Sequence, residues 1–105
     1  MPLVKEQPLS NSDQDLILLS KALGHPARIS ILNMMRERNT CICRDLTEEL
    51  GLSQSTISQH LKELKDAGLI YGTEAAQKTY YCIDIQRWQE AERLFKNYFN
   101  ALPKI

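Results

Sequence analysis

The stretch Leu50-Gly-Leu-Ser-Gln-Ser-Thr-Ile-Ser-Gln-His-Leu-Lys-Glu-Leu64 decides the fold. Gly51 closes a short apolar-periodic run and is suited to the positive φ that ends a helix, while Ser53 supplies a side-chain oxygen for the free amides of the next one. Two helices joined so tightly make a helix-turn-helix. In the second, Ile57, Leu61 and Leu64 recur at i, i+4 and i+7 as one buried stripe. Ser55, Ser58, Gln59 and Lys62 fall on the opposite face. From Ser53 to Leu61 there is no formal charge unless His60 is protonated. An ordinary solvated helix favours long charged side chains there. Gln, Ser and Thr instead hydrogen-bond base edges and phosphate oxygens, and the helix N-terminus adds a partial positive charge. The segment reads as a DNA-contacting helix, against the plainer alternative of a capped surface helix.

Outward from this segment, residues 1–11, with Pro2 and Pro8, read as a flexible arm and residues 12–102 as one domain. Ser12 is expected to cap a helix opening Asp13-Gln14-Asp15, with Leu16, Leu19 and Leu23 as its apolar stripe. Gly24-His25-Pro26 ends it, and Pro26 suits the first turn of a second helix reaching about Arg38, with His25 as a cap or turn residue. Cys41-Ile42-Cys43 is expected as a small strand or extended linker, followed by a short helix capped by Asp45 with Leu46 and Leu50 inside. After Gly68, residues 69–73 and 78–83 are β-favouring runs around a polar loop, which makes a wing. Asp84 caps a last helix to about Leu102. The fold class is mainly α with a small β wing, a winged helix-turn-helix of about five helices and a two- to three-stranded antiparallel sheet.

In the last helix Trp88, Ala91, Phe95, Tyr98 and Leu102 recur at spacings of three and four, a helix-pairing seam. With Leu16 and Leu19 of the first helix they form the expected homodimer interface, packing within one chain being the alternative.

Bulk properties bound the function. The 105 residues suffice for one modest core. Acids and bases balance at 13 each, which disfavours an indiscriminate polyanion binder. Local distribution matters more, because Arg28, Arg36, Arg38, Arg44, Lys62, Lys65 and Lys78 gather in the middle of the chain. No apolar run approaches the roughly 20 residues that span a bilayer, and the first residues lack a basic-then-apolar signal pattern. No membrane association and a cytoplasmic location are expected. Three cysteines, an odd number, argue for reduced thiols rather than a stapled secreted scaffold.

Three stretches carry a resemblance: Lys21-Ala-Leu-Gly-His-Pro-Ala-Arg-Ile-Ser-Ile-Leu32, Cys41-Ile-Cys43, and Leu52-Ser-Gln-Ser-Thr-Ile-Ser-Gln-His-Leu61. Together they resemble the ArsR/SmtB family over roughly residues 12 to 100. The resemblance implies a dimeric winged-helix repressor that leaves its double-stranded DNA operator when a metal, metalloid or oxidant is bound. It implies DNA contacts at Gln54, Ser55, Thr56, Ser58, Gln59 and His60, the last suited to either DNA backbone contact or helix packing, with Lys62 nearby and Ser53 at the helix start, and a wing tip at Gln77 and Lys78. The family often carries several arginines in the wing, so weaker wing contacts are implied here. Cys41 and Cys43 resemble the family's Cys-x-Cys metal pair, yet one additional residue separates them from Ser53, which puts them on the small strand. The zinc site of the final helix needs His ligands, and residues 84–101 contain none.

Strand geometry suggests a different thiol site. If the small strand pairs with the second wing strand, and Ile42, Tyr81 and Ile83 face the core, then Cys41, Cys43 and Cys82 share the outer face. Three thiolates there suit a soft metal or metalloid, or a disulfide under oxidation. The alternative is that they are small apolar strand residues. Two other function classes compete with a DNA-binding regulator: a winged-helix protein-interaction module and a small thiol oxidoreductase. The latter has no Gly-rich phosphate loop and no nucleophile paired with a base.

Overall fold

The first helix starts at Ser10 rather than Ser12. In the computed structural model, which describes residues 8–103, the Ser10 hydroxyl accepts from the Asp13 amide at 3.0 Å and the Asp13 carboxylate accepts from the Ser10 amide at 3.1 Å. This reciprocal cap satisfies two end amides and fixes α1 at Asn11–Leu23. Ser12 has an acid three residues on as well, but that acid, Asp15, is held by Arg87. The expected arm shortens accordingly, and residues 1–7 of it lie outside the described residues.

The second helix, α2, spans Pro26–Arg38. His25 caps it through Nδ1, which accepts from the Ala27 amide at 3.1 Å. The third, α3 (Cys43–Leu50), ends at Gly51 with φ 66, and α4 (Gln54–Asp66) begins three residues later behind Ser53. Two strands follow, β1 (Ile70–Ala75) and β2 (Lys78–Ile83), antiparallel with Ile70 opposite Ile83 and Ala75 opposite Lys78. Asp84 caps α5 (Ile85–Asn100), its carboxylate accepting from the Arg87 amide at 3.0 Å. This is the expected winged helix-turn-helix. The third strand is reduced to one residue, Cys41, which exchanges backbone bonds of 3.0 and 2.8 Å with Tyr81.

Cys43 is not on that strand. It is the first residue of α3, because the Asp45 carboxylate accepts from the Ile42 amide at 3.1 Å and pulls the helix start back to Cys43. Asp45 therefore serves from inside the first turn, not from the cap position expected of it.

The core lies where α1, α2 and α4 meet the base of the wing. Leu19, Ile31, Met35, Leu46, Ile57 and Leu64 are fully buried there. Removing such side chains from water is worth about 1.5–3 kcal/mol each, and together they fix the tilt of α4 on the body. Leu19 belongs wholly to this core, which removes it from the expected dimer seam. Two further seam residues also turn inward: Ala91 is buried, and the Trp88 indole Nε1 donates to the Leu69 carbonyl at 3.0 Å. Leu16 and Phe95 are half-buried, while Tyr98, Phe99 and Leu102 are exposed.

Candidate nucleic-acid interface

The N-terminal half of α4 is held rigidly and presents polar side chains outward. Ser53 accepts from the Thr56 amide at 3.3 Å, and its hydroxyl lies 2.9 Å from the Thr56 hydroxyl and 3.2 Å from that of Ser55. Below, Ile57, Leu61 and Leu64 lock the opposite face into the core. Gln54, Ser55, Thr56, Ser58, Gln59 and Lys62 are all exposed. The result is a fixed helix whose first turns offer donors and acceptors without negative charge, the arrangement that reads a major groove.

Two of these exposed side chains are already paired. Gln59 Nε2 donates to Glu63 at 3.3 Å, and Lys62 Nζ donates to Asp66 at 2.8 Å. The Asp66 hydrogen bond and charge push the Lys62 ammonium above its ordinary pKa. A phosphate contacted by Lys62 competes with this acid.

His60 departs from the expected contact set. It is only 9% exposed, and its ring lies against His25 with centroids 4.4 Å apart. The signal was present in the spacing: His60 is three residues after Ile57 and four before Leu64, so it belongs to the buried stripe.

At the wing tip Ala76 and Gln77 both adopt left-handed conformations, φ 51 and 65, making a two-residue turn whose hand matches the strand twist. Gln77 and Lys78 are exposed there. Sequence reasoning missed Arg87, which ties the far end of α4 to the body. Its Nε donates to the Ala67 carbonyl at 3.0 Å and its terminal nitrogens grip Asp15.

The three thiols do not converge. Cys41 faces Tyr81 directly across the bridge, so both side chains lie on one face, whereas Cys82 is the next residue along and pairs with Tyr71 on the other. Cys41 is 1% exposed and packs in the core. Burial, then the Asp45 charge, push its thiol above the ordinary pKa, with Arg38 opposing and Cys82 adding least. Cys82 instead lines an apolar groove of about 820 Å³ between the C-terminal end of α2, the wing base and α5. Among the described residues no three His, Cys, Asp or Glu side chains are grouped to hold a metal ion. The cysteines do not fit the three-thiolate site. Nor, among the described residues, is any helix long and apolar enough to cross a membrane.

A capped, outward-facing polar helix beside a β-hairpin defines a winged-helix DNA-binding transcriptional regulator. Residues 25–71, from the cap of α2 to the first wing strand, match the family described as "Bacterial regulatory protein, arsR family". The chain is 39% identical over 75 residues to the HTH-type transcriptional regulator YgaV of Escherichia coli K12, a match covering 71% of this chain and 76% of that protein. It is 38% identical over 63 residues to the HTH-type transcriptional repressor SmtB of Mycobacterium tuberculosis, covering 60% of this chain but 46% of that longer relative. The solved structure of HlyU from Vibrio cholerae N16961 superposes with a TM-score of 0.68 at 30% identity, over 86% of this chain and 98% of that one. The chain belongs to the ArsR family of bacterial transcriptional regulators.

Proposed function

We propose that the chain acts as a homodimeric repressor in the cytoplasm, setting the exposed residues of α4 into the major groove of two operator half-sites about one helical turn, ~34 Å, apart. It works by binding and not by turnover. The observation that carries the reading is the uncharged, capped face of Gln54, Ser55, Thr56, Ser58 and Gln59 standing out from a fixed core. Gln77 and Lys78 at the wing tip supply flanking contacts.

The dimer reading rests on α5. Its C-terminal end carries exposed Tyr98 and Phe99, followed by exposed Leu102, whereas Ile85, Trp88 and Phe95, earlier in the helix, border the apolar groove. From Trp88 to Phe99 is about 16 Å at 1.5 Å per residue. Two antiparallel α5 helices related by a two-fold axis bring each aromatic end to the other's groove, the self-complementarity that an isologous contact needs. Ile17 and Leu18 on α1, the helix that packs on α5, are exposed as well.

Sedimentation equilibrium tests the assembly, with the full chain expected at twice its 12.1 kDa mass and Phe99→Glu shifted towards monomer. A wild-type chain that stays monomeric at tens of micromolar would contradict it. The SmtB relative is named a repressor, whereas a Vibrio cholerae HlyU relative is named a transcriptional activator. A reporter driven from a promoter that carries the bound site decides the direction here. Repression requires expression to rise when the gene for this chain is deleted.

A further inference from the structure

Two buried side-chain atoms among the described residues have no hydrogen-bond partner: Nδ1 of His60 and Nε of Arg28. They belong to the two helices that meet at one seam, α4 and α2. The His60 ring lies against His25, centroids 4.4 Å apart and planes tilted by 53°. His25 is itself occupied, its Nδ1 accepting from the Ala27 amide at the start of α2. Arg28 sends one terminal nitrogen to the Lys21 carbonyl at 3.3 Å. The seam thus holds two imidazoles and a guanidinium. Glu63, one turn along α4, is the carboxylate acting on His60, and it already accepts from Gln59.

A neutral His60 leaves one ring nitrogen unsatisfied. An imidazolium is worse placed, because both ring nitrogens become donors and a full charge is added to a buried ring next to a fixed cation.

We infer that the His25–His60–Arg28 seam is a proton-sensitive seat for the recognition helix: acidification drives His60 out of the seam, frees α4 from its fixed position on α2, and weakens sequence-specific DNA binding. The inference rests on the DNA-reading role of α4. Burial, followed by the charges of His25 and Arg28, holds the seated ring below its ordinary pKa, while Glu63 pulls the other way. A displaced ring titrates near the ordinary value of ~6.5. The seated state is therefore fully favoured above about pH 6.5. Below that it loses ground to the displaced state by a factor approaching ten per pH unit, until the lowered pKa is reached. Gln59 precedes His60 in the chain, so a turn of the helix that releases the ring also moves a base-reading side chain.

The test uses the full chain and a duplex enriched from a random-sequence pool by the protein at pH 7.5. Fluorescence anisotropy at constant ionic strength compares wild type with His60→Phe, which keeps a ring against His25 and cannot titrate. From pH 7.5 to 5.5 wild type should lose more affinity than the variant, by up to about tenfold, and parallel losses would overturn the proposal. Should His60→Phe fold poorly, NMR titration of the wild-type His60 ring decides. A midpoint below 6.5, with α4 amide shifts following the same curve, supports the seat, and a midpoint at or above 6.5 overturns it. Failure of wild type to enrich any duplex would instead contradict the DNA-reading role of α4, and the ring titration would still decide the seat.

Discussion

Arg87 and Asp15, 72 positions apart in the chain, form a two-point ion pair, with Arg87 Nη1 to Asp15 Oδ2 at 2.9 Å and Nη2 to the other carboxylate oxygen. The same guanidinium donates through Nε to the carbonyl of Ala67, at the end of α4. One side chain thereby joins α1, the end of α4 and α5. Its hydrogen bond and charge hold the Asp15 carboxyl below the usual carboxylate range, against the opposing effect of burial.

Asp15→Asn should cost about 1 kcal/mol of stability, a charged hydrogen bond discounted because Asp15 is still partly in water. Because the folded-state pKa of Asp15 is depressed, its contribution is present above the ordinary value of ~3.9 and is lost as pH falls through the lowered one. Urea unfolding at pH 7 and pH 3 checks this. The gap between wild type and Asp15→Asn should be open at pH 7 and narrowed at pH 3.

Gly51 and Gly68 both sit at positive φ, 66 and 80, but in different surroundings. A Cβ on Gly51 meets nothing within 4 Å, whereas on Gly68 it lies 3.2 Å from Arg87 Nε and 3.3 Å from Arg87 Cγ. Gly51→Ala should cost about 1 kcal/mol for the left-handed backbone. Gly68→Ala should cost more, about 2 kcal/mol, because Arg87 must also give way. Equal urea midpoints for the two variants would contradict the wedged position of Arg87.

Cys41 should be the slow thiol. It is buried and its pKa is raised, while Cys43 and Cys82 are partly open. Timed alkylation with iodoacetamide at pH 7.5, read by mass spectrometry, should label Cys43 and Cys82 well before Cys41. Labelling of Cys41 at the same rate would place it outside the core.

Asp66 should restrain DNA affinity by holding Lys62, whose Nζ it accepts from at 2.8 Å. Asp66→Asn should tighten binding to any duplex and make the salt dependence steeper by up to about one counterion.

Much of this fold was readable because its decisive signals are local. Gly51, Ser53 and the Ile57-Leu61-Leu64 stripe each act within a few residues, and Pro26 with Arg38 marked both ends of α2. What escaped depended on partners distant in sequence. Ser10 and Ser12 are equivalent caps until Arg87 claims Asp15. The apolar spacing of Trp88 and Ala91 states that they are buried, but not whether their own core or a second chain buries them. Cys43 was displaced by a single residue, since the Asp45 carboxylate sets the helix start, and that shift, with Cys41 turned to the core beside Tyr81, dissolves the three-thiol cluster. His60 was legible by spacing, yet its residue type suits DNA contact as well as core.

Sequence-specific binding by this protein requires the exposed face of α4 to read bases. Affinities of wild type, Gln59→Ala and Lys62→Ala for the enriched duplex and for a random-sequence duplex, at one salt concentration, test it directly. Gln59→Ala should lose about 1–3 kcal/mol on the enriched duplex and little on the random one, whereas Lys62→Ala should lose similarly on both. Equal losses on both duplexes for Gln59→Ala would contradict the assignment of α4 as the reading helix.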